Sequence, residues 1–289
     1  MSVTKTPLVV TPDWLAAQQG SDSAVRVLDG SWHLPTEGRD PASEFLAIHI
    51  PGAVFFDIDA ICDPDSSLPH MLPSSAIFAE GVSALGIDNH SHVVIYDTVG
   101  LYSAARVWWM FRVFGHERVS VLAGGLPRWR GEGRPVESGA PAIMPGSFTV
   151  TARDDSLVRS FEQVRDTLSD KSAQIVDARA AARFTGEDPG PRPDLPRGHT
   201  PGSRNVPFDA VLDDDNVALG DEAAIRRAFA AAGVDPARPV IASCGSGITA
   251  CTLALALAAI GAEQVAVYDG SWTDWGSRRD TPVESGNPV

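Results

Sequence analysis

Short apolar runs alternate with longer stretches of helical spacing along this chain, which predicts strands feeding into helices. Val9-Val10 reads as a short strand, and Thr11-Pro12-Asp13-Trp14 opens a helix with proline at its first position, where no N–H is needed. Residues 25–28 form a strand ending at Asp29, followed by a loop with Ser31, Trp32 and His33 and a polar helix over 41–48. The turn His49-Ile50-Pro51-Gly52-Ala53 leads into the run Val54-Phe55-Phe56-Asp57-Ile58-Asp59. After a loop rich in Asp, Ser and Pro, the pattern predicts a helix over 74–85, closed by Gly86, and a strand over 93–96. A helix over 103–114 carrying Trp108 and Trp109 follows, then a strand over 119–122 that runs into Gly124-Gly125-Leu126-Pro127-Arg128-Trp129.

The second half replays this order. Ile175-Val176-Asp177 answers Leu28-Asp29, and His199-Thr200-Pro201-Gly202-Ser203 answers His49-Ile50-Pro51-Gly52-Ala53 at an offset of 199 − 49 = 150. The strand 240–243 answers 93–96, setting Cys244 against Asp97 at 244 − 97 = 147. Tyr268-Asp269-Gly270-Ser271-Trp272 through Trp275 answers the Gly124–Trp129 region, and Pro282-Val283-Glu284 answers Pro135-Val136-Glu137, again at 147. A near-constant offset of half the chain means two copies of one α/β fold, each a parallel sheet flanked by helices. The expected division is 1–136, a Pro-, Gly- and Ala-rich linker over 137–150, and 151–289. Gly233, like Gly86, is placed to end a helix in the left-handed conformation.

Composition narrows the class. A length of 289 residues with 44% hydrophobic and 21% charged residues describes an ordinary soluble globular chain. The formal net charge of −14 argues against nucleic acid or an anionic membrane as partner, and any anionic substrate would need specific arginines. Three cysteines (Cys62, Cys244 and Cys251) without a CxxC pair argue against a disulfide framework or a cysteine-based zinc site. The N-terminal MSVTKTPLVVTPDW lacks a basic region followed by an apolar core, and the apolar run 248–262 is too short to span a bilayer. These features lead to the expectation of a reducing, cytoplasmic compartment.

The segment 240–250, VIASCGSGITA, carries the chemistry. A strand runs into Cys244, then Gly245-Ser246-Gly247-Ile248-Thr249, then a long apolar helix. Unpaired amides and the positive end of the helix dipole at that junction favour a thiolate, although a buried core cysteine would fit the same pattern. The repeat supplies an internal control. Copy one has Asp97 at the equivalent position, so one copy holds a nucleophile and the other a carboxylate that cannot do the same job. An active copy beside a structural one is the simplest reading.

Two tandem copies with His-x-Pro-Gly before a strand, and a cysteine-centred loop in copy two, resemble the rhodanese superfamily of sulfurtransferases. The Cys244–Thr249 loop is similar to the CGSGVT loop of the members that use 3-mercaptopyruvate, with Ile248 replacing valine. Thiosulfate-specific members carry basic residues directly after the cysteine, where this chain has Gly245 and Ser246. The resemblance implies ping-pong chemistry without metal or organic cofactor. Cys244 would take sulfur from the small-molecule donor as a persulfide and pass it to thioredoxin, a low-molecular-weight thiol or cyanide. Thiosulfate is the alternative donor.

The resemblance also implies residue roles. Arg183 and Arg192 match the arginines that bind the 2-oxo acid, whose carboxylate and carbonyl suit planar guanidinium donors. Ser246, His70 and Asp59 match a Ser-His-Asp set able to manage the donor thiol's proton. Gly245, Gly247, Ile248 and Thr249 would surround the sulfur. Arg197 matches no motif position and reads as a surface residue, and Arg179 reads as a brace for the fold through an ion pair. His49 and His199 occur in both copies and read as structural, Cys62 as a loop thiol and Cys251 as core. Trp272 and Trp275 fit either a pocket wall or the core. A cysteine phosphatase would need an arginine six positions after the cysteine, and 244 + 6 = 250 is Ala250.

Overall fold

The structure is a computed structural model and describes residues 6–18 and 24–286. The first five residues of the N-terminal stretch judged for a secretory signal lie outside the described residues. The first half contains β1 (Val9–Val10), α1 (Pro12–Gln18), β2 (Val25–Asp29), α2 (Pro41–Ala47) and β3 (Ala53–Phe55). It continues with α3 (Ser75–Ala84), β4 (His92–Tyr96), α4 (Ala104–Val113), β5 (Val119–Leu122) and α5 (Gly125–Gly131). The second half contains β6 (Val158–Arg159), α6 (Phe161–Asp170), β7 (Gln174–Asp177), α7 (Ala181–Thr185) and β8 (Arg204–Asn205). It ends with α8 (Glu222–Ala231), β9 (Val240–Ser243), α9 (Ala250–Ala259), β10 (Val265–Tyr268) and α10 (Ser271–Ser277).

Each half builds one five-stranded parallel sheet, in the orders β1-β5-β4-β2-β3 and β6-β10-β9-β7-β8. The two orders are the same order shifted by five strands, so the repeat is one of topology as well as of sequence. The middle strands β4 and β9 are apolar on both faces because helices cover both sides of a parallel sheet. α9 is buried from Ala250 to Leu257, as expected for a helix that is apolar all round. Side-chain caps start the amphipathic helices: Asp40 for α2, Ser74 for α3, a Ser160–Gln163 capping box for α6 and Asp221 for α8.

The chain divides into two compact units. One comprises Met1–Pro64, Leu72–Asp154 and Asp215–Ala218, the other Asp65–Met71, Asp155–Asp214 and Leu219–Val289. Residues 137–150, read from composition as a linker, run along the first unit. The Gly139 amide donates to Leu46 O (2.7 Å), the Gly146 amide to Ser83 O (2.8 Å), and Phe148 packs among Phe78, Phe111 and His116. The apolar run after Gly52 is cut short as a strand at Phe55. Asp57 Oδ1 accepts from the amides of Asp59 (3.0 Å) and Ala60 (3.2 Å), and that Asx turn ends the extended backbone.

The two histidines before Pro-Gly do the same work in each unit. His49 Nδ1 bonds Phe45 O at 2.8 Å and stacks on the Phe45 ring, and His199 Nδ1 bonds Phe184 O at 2.9 Å and stacks on Phe184. Each also pairs its backbone with a glutamate downstream, Glu137 or Glu284. Both are buried and face the core rather than a reactive loop.

Asp97 closes the C-terminal end of β4. Its Oδ1 accepts from the amides of Val99 (2.9 Å) and Gly100 (2.7 Å), and its Oδ2 from those of Tyr102, Ser103 and Ala104 (2.8, 2.8 and 2.9 Å). The carboxylate is fully buried, and five N–H groups at the entry to α4 replace its water. Removing it strands those donors. Asp97→Ala should therefore lower stability by about 3–5 kcal/mol, read as a shifted urea midpoint, and a loss below about 1 kcal/mol would contradict this role.

Candidate active site

Cys244 occupies in the second unit the place that Asp97 holds in the first, directly after β9. The segment Gly245–Thr249 turns back to start α9, and Gly247 takes φ +83°, a left-handed conformation that glycine adopts at no steric cost. The Gly247 amide donates to Cys244 Sγ at 3.2 Å, so the loop aims an N–H at the sulfur just as the β4 loop does at Asp97. Cys244 is 2% exposed and Ser246 7% exposed, and Ile248 and Thr249 are buried beside them. Cys251 sits in the first turn of α9 with its Sγ bonded to Gly247 O, which assigns it to packing under the loop.

The start of α10 clamps the same loop. The Cys244 amide donates to Ser271 Oγ (3.1 Å), and Cys244 O accepts from the Trp272 amide (3.0 Å). Gly245 O accepts from both the amide (2.9 Å) and the hydroxyl (2.7 Å) of Thr273. Ser271 holds φ +50°, and its equivalent in the first unit, 271 − 146 = 125 at the start of α5, is a glycine at φ +49°. A serine in the left-handed region costs of order 1 kcal/mol, and it stands where its hydroxyl ties the Cys244 amide to Tyr268 O (2.8 Å).

A cleft opens beside this loop, walled by Gly245, Thr273 and Trp272 on one side and by Arg183, Arg192 and Arg197 on the other. A Cβ added at Gly245 would lie 3.2 Å from Arg183 Nη2, so the absent side chain lets that guanidinium approach the loop. Arg192 Nη1 donates to Thr273 Oγ1 at 2.5 Å. Thr273 thus accepts from the arginine and donates to Gly245 O, linking the two sides of the cleft through one hydroxyl. Asp188 also lines the cleft, its Oδ1 holding the Gly190 amide (2.8 Å).

Arg179 is spent on structure. It forms a buried ion pair with Asp177 (2.7 Å), donates to Gly198 O (2.9 Å) and lies 4.5 Å over the Trp272 ring. Trp272 belongs both to the cleft wall and to the core with Phe161 and Trp275, whereas Trp275 bonds Pro282 O and is core alone.

The expected site residues Cys244, Ser246, Gly245, Gly247, Ile248, Thr249, Arg183 and Arg192 all lie in the second unit, with the arginines across the cleft from Gly245. His70 is buried, adopts φ +41° and belongs to the second unit. Asp59 belongs to the first unit and is exposed, its Oδ2 accepting from the Trp32 indole N–H at 2.8 Å. Cys62 is half-buried, with Sγ bonded to Asp59 O, and burial together with Asp59, Asp63 and Asp57 pushes its thiol pKa up, which disfavours a thiolate there. Sequence reasoning missed Thr273 and Asp188, while Arg197, read as a surface residue, is exposed and also lines the cleft. Among the described residues no group of three His, Cys, Asp or Glu side chains could hold a metal ion, and no helix is long and apolar enough to cross a membrane.

Comparison with known proteins agrees with this geometry. The model of the rhodanese-like domain matches residues 11–132 and again 160–278. The chain is 45% identical to thiosulfate/3-mercaptopyruvate sulfurtransferase 1, mitochondrial, of Arabidopsis thaliana, over 98% of this chain and 80% of that protein. It is 43% identical to 3-mercaptopyruvate sulfurtransferase of Escherichia coli K12, over 95% of this chain and 97% of that one. The crystal structure of SseA from Escherichia coli superposes with a TM-score of 0.84 at 40% identity, covering 92% of this chain and 99% of that one. The chain thus belongs to the rhodanese-like domain family, carries two such domains in tandem, and is a sulfurtransferase.

Proposed function

We propose that this sulfurtransferase moves sulfur from 3-mercaptopyruvate to a thiol or cyanide through a persulfide on Cys244, releasing pyruvate. The observation that carries the reading is the cleft itself. It brings Gly245, the uncharged residue directly after Cys244, beside the guanidinium groups of Arg183 and Arg192. A 2-oxo acid anchored by its carboxylate and carbonyl on Arg183 and Arg192 would direct its thiol-bearing carbon toward Cys244. Thiosulfate, a compact dianion, would bring its second charge to a loop without a cation at the first two positions after the cysteine. The names of the relatives include both donors, and the choice rests on this charge argument.

The chemistry balances on these groups. The Cys244 thiolate attacks the donor sulfur, an S–S bond forms, and the C–S bond breaks with its electron pair going to carbon as pyruvate enolate. The proton that began on the donor thiol ends on that carbon, leaving a persulfide anion on the enzyme. Ser246 and His70, both buried in the second unit, are the groups we assign to carry that proton. The amides of the Gly245–Thr249 loop stabilise first the thiolate and then the persulfide, as those of the β4 loop hold Asp97. An acceptor thiol, on thioredoxin or a small molecule, or cyanide then attacks the outer sulfur and restores the Cys244 thiolate. Three free cysteines suit a reducing compartment, and we assign the enzyme to the cytoplasm.

Steady-state rates with the two donors test the proposal. The expected result is a higher kcat/KM for mercaptopyruvate, and a higher value for thiosulfate would overturn the donor assignment. Thr273 gives a finer test of the carboxylate anchor. Thr273→Val should raise the KM for mercaptopyruvate about tenfold and leave kcat within about twofold, because one hydrogen bond orienting a charged group is lost. Thr273→Ser should restore the wild-type KM. An unchanged KM in Thr273→Val would remove Thr273 from substrate binding.

A further inference from the structure

A second cleft in the second unit lies at the opposite end of the strands from Cys244. It has a cavity volume of about 220 Å³ and is entered between the ends of α6, β8 and the turn before β9. Cys244 follows the C-terminal end of β9, whereas this cleft is at the N-terminal end. The strand between them spans roughly 13 Å, so the two sites are separate.

Three cations converge on this cleft from three elements: Lys171 at the C-terminal cap of α6, Arg204 on the edge strand β8 and Arg238 in the turn leading to β9. Arg204 Nη1 donates to Ala232 O (3.0 Å), which fixes the guanidinium. Among the described residues none of the three forms an ion pair. Glu284, whose carboxylate accepts from the Gly202 amide at the cleft wall, is spent on that backbone turn (2.9 Å).

The remaining wall is preformed. Leu168, Ile175 and Pro201 give it an apolar side. The Gln174 side chain bonds the Asp235 backbone through both its nitrogen (2.8 Å) and its oxygen (2.9 Å), and Thr167 Oγ1 bonds Gln163 O. These polar groups are already satisfied, which leaves the cations as the free recognition elements.

The repeat again provides a control. Arg204 pairs in register with Val176, and its counterpart in the first unit, paired with Leu28, is Val54, a buried apolar residue. The counterpart of Arg238 at 238 − 147 = 91 is Ser91, whose hydroxyl is turned back onto the Asp88 amide. Copy one has an apolar side chain and a local turn at these two positions, and carries its arginine at this end on β2 instead, where Arg26 Nε donates to Gly86 O (3.4 Å) at the end of α3.

We propose that this cleft is a binding site for a phosphate ester, with the dianion held by Lys171, Arg204 and Arg238 and the organic body against Leu168, Ile175 and Pro201. Three cations match a dianion, and the apolar wall distinguishes an ester from the inorganic ion. The site lies outside the sulfur-transfer machinery and stands independently of the donor assignment.

Backbone amide NMR of the full chain, titrated with phenyl phosphate and separately with inorganic phosphate, tests it. Phenyl phosphate should move the amide signals of Gln174, Gly202 and Arg204 and bind at least about fivefold more tightly than inorganic phosphate, since only the ester covers the apolar wall. The double variant Lys171→Ala/Arg238→Ala, altered only at exposed positions, should lose about tenfold or more in affinity while its sulfur-transfer rate stays within about twofold. Shifts confined to Gly245 and Thr273, equal affinity for the two ligands, or undiminished binding by the double variant would each overturn the proposal.

Discussion

The organising constraint of each unit is a cluster of backbone N–H groups at the end of the middle strand, where the chain turns into a buried helix. Such groups cannot reach water and must be met by an acceptor. In the first unit the chain supplies its own acceptor, and Asp97 takes five of them. In the second unit the residue at that place is Cys244, whose sulfur takes the Gly247 amide. The same solution to a folding problem thus places, by one change of side chain, a sulfur where the first unit has a carboxylate. The cradle is a property of the fold, and the first unit shows it holding a carboxylate.

Around that cradle both units share one clamp, the Leu126 amide donating to Asp97 O (3.1 Å) as the Trp272 amide does to Cys244 O, and the second unit adds to it. The β10–α10 turn holds Cys244 and Gly245 by four hydrogen bonds from Ser271, Trp272 and Thr273, at the expense of a non-glycine residue at positive φ. Local strain retained where the backbone carries the nucleophile is consistent with a loop held in one geometry rather than left to move. Arg192 is fastened to the same turn through Thr273, so the loop and an arginine of the cleft share one support. Arg179, by contrast, is buried in a pair with Asp177 and contributes by fixing the chain on the arginine side of the cleft.

Much of this was legible in the residues. The 147–150 offset revealed two copies, and their equivalence exposed Cys244 against Asp97 without any structure. The strands and helices followed from apolar runs and caps, except where two-residue strands such as Val158–Arg159 are too short to carry a period. The 54–59 run ended early because Asp57 turns its own backbone, a local effect that the apolar pattern around Phe55 and Phe56 concealed. Thr273 and Arg197 were not legible as cleft residues. Each lies in a segment whose neighbours in space come from elsewhere in the chain, and a threonine hydroxyl has no pattern of its own until an arginine 81 positions away meets it. The cations of the second cleft escaped for the same reason, being 33 and 34 positions apart in the chain.

The central claim is that Cys244 receives sulfur. Intact mass of the protein after exposure to mercaptopyruvate tests it most directly. The account predicts a gain equal to one sulfur atom, removed by dithiothreitol and absent from Cys244→Ser. A wild-type mass that does not change, or a gain that persists in Cys244→Ser, would contradict it.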